Sequence, residues 1–369
     1  MTSHFDSRTD DPDHTVPVVR VRNSGDLVAA IPYLIGFHPT RSLVLVGLDS
    51  AGPGRVIVTA RVDLDDVAAS PPTLAHTLAS IARGRARALF VAIFDDDALP
   101  DIARVADAGP VGLPWAGLCR EVLEAADQVH LDVDEVALVA GGRSWSYLCD
   151  QPWCCPPEGR VLDESAAAAE CTYAGMVALP DRASLAAILD PLPDAERDRL
   201  LPALDLAQFD AIATMLPDIA TATAKGADAG PIATVDRAVK RAIFAAARRS
   251  ELAASKPVDD DQVIRFATAL QRVAVRNPVW LAIDDGRLDG RSLWRDLARR
   301  LPAPFDAPAL FLYAWACYRD GNGALAGIAA ERALVSDPGF TSADLVLAAL
   351  ASAVDPRSLP RLRIPRRSA

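Results

Sequence analysis

The sequence predicts an α/β domain built on a mixed sheet, followed by an all-helical domain that ends in a tetratricopeptide-like hairpin. Three observations carry this expectation. From Val16 to Leu148 short β-branched runs alternate with amphipathic stretches, the pattern of layered α/β architecture. After Pro180 no strand pattern recurs, and leucine and alanine follow a helical period punctuated by proline and glycine. The segment Ala307 to Pro338, APALFLYAWACYRDGNGALAGIAAERALVSDP, has the spacing of one complete tetratricopeptide unit.

The expected strands are Val16 to Val21, Ser42 to Leu48, Arg55 to Leu64, Arg87 to Phe94, Asp134 to Ala140 and Arg143 to Leu148. Two connections are short and rich in glycine, Ser50 to Gly54 and Gly141-Gly142, and read as hairpins, so the sheet is mixed rather than parallel. Helices are expected between strands at Ser24 to Phe37, Pro72 to Arg83 and Pro114 to Gln128. Ser24 is the expected N-cap of the first, and Pro32 is expected to interrupt it because proline lacks an N–H and clashes with the preceding turn.

In the second half the expected helices are Ala183 to Leu189, Asp194 to Leu201, Ala207 to Ala224, Ala233 to Ala254, Asp259 to Val275, Gly290 to Arg300, Pro308 to Arg319, Gly323 to Val335 and Ser342 to Ala353. Lys225 to Ile232 reads as a loop. In the terminal hairpin Gly321 punctuates the turn, Pro338 stops the second helix, and Ala314, Ala326 and Ala333 are the small residues that close helix crossing requires. Leu310, Tyr313 and Ala330 depart from the usual large residues of such a unit. One good copy is present, where about three are needed to bury a solenoid core, so a single hairpin is expected rather than an array. The resulting division is a polar start at 1–15, an α/β domain at 16–180, a helical domain at 181–355 and a basic tail at 356–369, with the boundary near 160 to 195.

A chain of 369 residues that is 51% hydrophobic and 24% charged has the composition of a globular protein with room for about two domains. No apolar run approaches the roughly 20 residues that span a bilayer, and the acidic opening MTSHFDSRTDDPDH lacks the features of a secretory signal. The expected location is the cytoplasm. A net charge of -11 argues against nucleic acid as a partner, except weakly through the tail arginines Arg357, Arg361, Arg363, Arg366 and Arg367.

Three constellations could carry chemistry. Cys149, Cys154 and Cys155 in YLCDQPWCCPPEGR, with Cys171 further on, are candidate ligands for a metal such as zinc, or redox groups. Adjacent Cys154 and Cys155 make a poor disulfide, because neighbouring Cα atoms lie about 3.8 Å apart. The same residues can equally be small buried side chains in a proline-locked crossover. Asp63-Leu64-Asp65-Asp66 and Phe94-Asp95-Asp96-Asp97 follow strands, where carboxylates can hold a cation or cap helices. The loop GFHPTRS places His38, Thr40, Arg41 and Ser42 together, as an anion site or general base, or as ordinary loop hydrogen bonding. No phosphate loop, HExxH, GxSxG or dinucleotide fingerprint is present.

LVAAIPYLIGFHPTRSLVLVGL at Leu27 to Leu48, YLCDQPWCCPPEGR at Tyr147 to Arg160 and AWACYRDGNGALAGIAAERALVSDPGF at Ala314 to Phe340 together resemble an actinobacterial family, domain of unknown function 4192. The resemblance covers nearly the whole chain in the same order. It implies that the α/β and helical parts travel as one unit, and it implies no activity, cofactor or partner.

Two functions follow as expectations. The first is an interaction or regulatory module whose terminal hairpin offers a groove to a protein partner. The second is an enzyme acting on a small anionic substrate, with His38, Arg41, Asp65 and Asp95 around a strand-end crevice and a metal as a possible cofactor. The enzyme reading requires those four side chains to converge, and the interaction reading requires an exposed groove on the helical half. Whether the chain is an enzyme is open at this level.

Overall fold

The computed structural model describes residues 23–50, 54–99, 101–102, 112–162, 166–225, 231–252, 256–357 and 359–362. The expected strand at Val16 to Val21 and most of the expected loop at Lys225 to Ile232 lie outside them. The α/β part runs α1 (Ser24–Ile35), β1 (Ser42–Leu48), β2 (Val56–Asp63), α2 (Leu64–Ala69), α3 (Pro71–Arg83), β3 (Ala88–Phe94), α4 (Ala116–Gln128), β4 (Asp132–Ala140), β5 (Arg143–Ser146) and β6 (Arg160–Val161). The sheet order is β2-β1-β3-β4-β5-β6. Only β3 and β4 pair in parallel, and every other neighbouring pair is antiparallel. The mixed sheet and the two glycine-rich hairpins are as the sequence predicts, with Gly141 and Gly142 both at positive φ.

The central strands β1 and β3 are buried along their whole length, which is why they read as unbroken apolar runs. Alternate residues serve two cores. Leu43, Leu45, Leu89, Val91, Ile93, Val136 and Leu138 pack with α3 and α4. Here Gly47 leaves room for α3, since a Cβ would lie 2.9 Å from Ile81 and 2.7 Å from Val58. Val44, Val46, Phe90, Ala92, Phe94 and Val139 face α1, and their buried cluster continues without a break into the helical half.

That half comprises α5 (Ala166–Tyr173), α6 (Arg182–Ala187), α7 (Asp194–Asp198), α8 (Leu201–Lys225), α9 (Pro231–Ser250), α10 (Asp260–Leu270), α11 (Val273–Asp284), α12 (Arg291–Arg300), α13 (Ala307–Arg319), α14 (Gly323–Ser336) and α15 (Thr341–Ala351). The terminal hairpin is α13 and α14, turning at Gly321 with φ 85°. Residues 307–318 of α13 are all buried, among α10, α11, α12, α14 and α15. The helix lies at the centre of the bundle, so its apolar side chains are hidden on every side.

Several local expectations are corrected. The N-cap of α1 is Asn23, whose side chain accepts from the Asp26 N–H at 2.9 Å; Ser24 is already inside the helix. Pro32 does not interrupt α1, which continues to Ile35 and closes on Gly36 with a bond from its N–H to the Pro32 carbonyl at 2.8 Å. Burial of Leu27, Val28, Ile31 and Ile35 outweighs the one lost backbone bond. The single helix expected over Asp259 to Val275 breaks at Arg272, which is extended and whose Nη2 bonds buried Asp236 of α9 at 2.8 Å. A second helix, α11, follows, holding Pro278 in its interior. β6 has only two residues, too few for a strand pattern.

The first part of the basic tail is docked. Leu362 N–H donates to Asp284 Oδ2 at 2.6 Å, and the Arg361 guanidinium donates to the Asp285 carbonyl.

Candidate functional site

Two groups of polar side chains stand out. The first gathers at one end of the sheet, because antiparallel β1 begins where β2 and β3 finish. Arg41, at φ 42° just ahead of β1, bonds Asp65 at 2.7 Å and lies 3.7 Å from Asp95 and 3.5 Å from Asp97. Pairing with Asp65 raises the Arg41 pKa, with Asp95 and Asp97 adding to the effect. Asp95 is only 4% exposed, and its Oδ2 accepts from the Trp115 indole at 2.8 Å. Its Oδ1 is buried with no hydrogen bond. Next to it, Asp96 Oδ1 accepts from the Gly141 N–H at 2.7 Å, pinning the end of β3 to the β4–β5 turn.

Three of the four residues proposed around the crevice therefore converge, and His38 does not join them. Its ring is exposed and makes no hydrogen bond or ion pair with Arg41, Asp65 or Asp95, while its backbone N–H donates to the Leu179 carbonyl at 2.8 Å. One guanidinium among three carboxylates leaves a local surplus of negative charge, which repels an anion. The group braces strand ends, and Trp115 is the member that sequence reasoning does not supply.

The second group is built from the loop between β5 and β6. Ser146, last residue of β5, uses its hydroxyl fully: it donates to Glu135 Oε1 at 2.7 Å and accepts from the N–H groups of Leu148 at 3.1 Å and Cys149 at 3.0 Å. That fixes the exit of the strand and with it Cys149. The chain then turns so that the Gln151 carbonyl accepts from the N–H groups of Cys154 at 3.0 Å and Cys155 at 2.7 Å. Arg160, in β6, holds the loop from below, with Nε on the Cys154 carbonyl at 2.6 Å and Nη2 at 3.0 Å from the Cys154 sulfur.

The outcome is that the sulfurs of Cys149, Cys154 and Cys155 all lie within 4.8 Å of one another. Among the described residues no other three His, Cys, Asp or Glu side chains meet in this way. All three thiols are half-buried, and none of the six cysteines is in a disulfide. Cys171, the fourth proposed ligand, is on α5, 1% exposed and outside this group. Hydrogen bonding from the Gln151 backbone, then from Cys155, lowers the Cys149 pKa. Burial, then hydrogen bonding with Cys149 and Cys154, pushes the Cys155 thiol up to about 12.

A tetrahedral zinc ion with bonds of about 2.3 Å places its sulfurs about 3.8 Å apart, so these three thiols reach a zinc geometry with shifts of under about an ångström. The donor set therefore fits the metal, with three protein ligands and one further position. Glu135, whose carboxyl burial pushes its pKa up, and Cys155 border a cavity of about 20 Å³, room for one water. Sequence reasoning found the cysteines but not Ser146, Glu135 and Arg160. The only signal for Glu135 is a charge ahead of the apolar run of β4.

Gly159 is the pivot of this loop. It has φ 78°, and a Cβ there would lie 2.5 Å from the Trp145 ring, whose Nε1 donates to the Pro157 carbonyl at 2.9 Å. Gly159→Ala is expected to lower stability by about 3 kcal/mol, from backbone strain plus overpacking, and to scatter the thiols. Urea unfolding and thiol reactivity of the folded protein check this; unchanged values in both would show that the loop does not depend on the turn.

No curated protein matches this chain, and no solved structure does. Residues 25–357, spanning both the sheet with its three-thiol loop and the helical bundle, match the family described as domain of unknown function (DUF4192), and the chain belongs to that family.

Proposed function

We propose that this is a zinc-binding protein whose centre is formed by Cys149, Cys154 and Cys155. The convergence of their sulfurs within 4.8 Å carries the reading. A metal held there ties the β5–β6 loop to the sheet edge, and its fourth position is open to water or an external donor. Such a centre supplies Lewis acidity if the fourth position is used and rigidity if it is not. Thiolate ligation also accords with a cytoplasmic location, where cysteines stay reduced.

The test is elemental analysis of the full chain purified without chelator from zinc-supplemented cells. One zinc per chain is expected, retained in Cys171→Ser and lost in Cys149→Ser. Absence of zinc from the wild-type protein, or its retention in Cys149→Ser, overturns the proposal.

Of the two earlier readings, the enzyme on an anionic substrate draws little support from Arg41, which is already surrounded by carboxylates. The interaction reading draws no support from the terminal hairpin. Ala326, Ala329, Ala330 and Ala333 are fully buried and offer a partner nothing.

A further inference from the structure

The fold sorts the six cysteines into two sets. Cys119, Cys171 and Cys317 are buried among core side chains. Cys149, Cys154 and Cys155 are half-buried, on a loop whose intervening residues Asp150, Gln151, Pro152 and Trp153 are exposed. A small polar solute has a path to these three residues and not to the core thiols. Within the group the sulfurs are not equivalent. Cys154 is held at two atoms by Arg160, with its carbonyl 2.6 Å from Nε and its sulfur 3.0 Å from Nη2. Cys155 is its neighbour in sequence, too close along the backbone for a relaxed bridge between the two. Cys149 sits across the turn, fixed through its N–H by Ser146. Both later cysteines come within 4.8 Å of its sulfur because the Gln151 carbonyl gathers their N–H groups.

We propose that Cys149 and Cys155 form a peroxide-responsive dithiol, which closes to a disulfide and empties the zinc centre. The zinc release rests on the zinc reading above; the dithiol rests on the placement of the sulfurs. Cys149 takes part in either bond the backbone permits, and Cys155 is its partner because the Cys154 sulfur would first have to leave Arg160. Closing from within 4.8 Å to the about 2.05 Å of a disulfide takes side-chain rotation and a small backbone adjustment in an exposed loop. The oxidant is hydrogen peroxide. The Cys149 thiolate attacks one peroxide oxygen, the O–O bond breaks, hydroxide leaves, and Cys149 becomes a sulfenic acid. The Cys155 thiolate then attacks the Cys149 sulfur, so that S–S forms as S–O breaks and a second hydroxide leaves. Two thiolates have lost two electrons, the peroxide has gained two, and each hydroxide takes up a proton to become water. Zinc is left with one protein thiolate of three, too few to hold it. In a reducing compartment such a disulfide is transient and serves as a signal.

The test treats the full chain, as purified and after chelator, with one equivalent of hydrogen peroxide. Intact mass, proteolytic mapping after acid quench and alkylation, and a chromogenic zinc indicator read the outcome. The expected product has lost two hydrogens relative to the reduced metal-free chain and carries a Cys149–Cys155 bond within one chain. Cys119, Cys171 and Cys317 stay reduced, the zinc is released, and a dithiol reductant reverses the change. Cys154→Ser is expected to keep the bond in the metal-free state. Cys155→Ser is expected to stop at a Cys149 sulfenic acid that dimedone traps, with disulfide reduced by about tenfold or more. Mapping of the unsubstituted chain decides the matter if either variant misfolds. A bond from Cys149 to Cys154, a link between two chains, or oxidation of the core thiols instead would overturn the proposal. A chain that holds no zinc yet forms the Cys149–Cys155 bond overturns the zinc centre and supports the dithiol. A zinc-loaded chain that forms no bond before or after chelation does the reverse.

Discussion

Serine in place of Cys154 is expected to lower zinc affinity by two to three orders of magnitude. Structural zinc is held with about 10–16 kcal/mol over four ligands, so each ligand carries about 3 kcal/mol, and each 1.4 kcal/mol is a decade. Cys154 is the thiol that also takes Arg160 at 3.0 Å, so its loss removes a ligand and leaves the guanidinium without its sulfur partner. Affinity should also rise with pH. Cys155, pushed up to about 12 by burial, hydrogen bonding and the neighbouring thiols, is protonated in the metal-free protein at neutral pH. Zinc must displace that proton, so acid competes with the metal and alkali assists it. Each displaced proton contributes a factor of about ten per pH unit below its pKa. Chelator competition at pH 6.5, 7.5 and 8.5 measures both effects. A pH-independent affinity would mean that Cys155 is not a ligand, and a Cys154→Ser protein with wild-type affinity would remove the centre altogether.

Asp284→Ala is expected to destabilise the helical half by about 3–5 kcal/mol, the cost of stranding charged and polar groups that had a buried partner. Asp284 is 2% exposed and ends α11 at a junction of three segments. It accepts from the Trp315 indole at 3.2 Å and from the Leu362 N–H at 2.6 Å, and Arg319 Nε lies 3.5 Å away. Removing the carboxylate orphans the Trp315 indole and the Leu362 N–H at once and takes the charged partner from Arg319, which keeps its bond to the Pro356 carbonyl at 2.6 Å. Asp284→Asn keeps an acceptor but no charge and should cost about half as much. Urea unfolding of the two variants, with proteolysis of the tail as a local probe, decides the matter. A loss below about 1 kcal/mol in Asp284→Ala would show that the tail and Arg319 find other partners.

The two polar groups differ in how far they are legible from sequence. The cysteine loop announces itself, since three thiols within seven residues cannot be far apart. Their convergence still depends on Ser146 turning the chain at one end and on Arg160 returning as β6 at the other. Neither residue type is diagnostic alone. Cys171 looks equivalent in the sequence and is not, because α5 packs on α1 and buries that thiol elsewhere. At the strand ends the sequence places Arg41, Asp65 and Asp95 at the right elements, yet their net charge argues for a brace rather than an anion site, and that balance appears only when Asp97 and Trp115 are added. The terminal hairpin makes the same point: its small residues mark a close crossing, but whether they line a groove or fill a core depends on which helices surround it.

The sequence by itself determined the element types, the mixed sheet and the two hairpins. These follow from periodicity and from glycine at turns, which act within a few residues. Tertiary structure alone decided three further matters. Burial on the sheet carries α1 through Pro32. The Arg272–Asp236 pair bends one expected helix into two. The core that begins under β1 and β3 continues into the bundle. Each is a contact between residues far apart in the chain, with a free energy that exists only once both partners are in place. No local pattern records it.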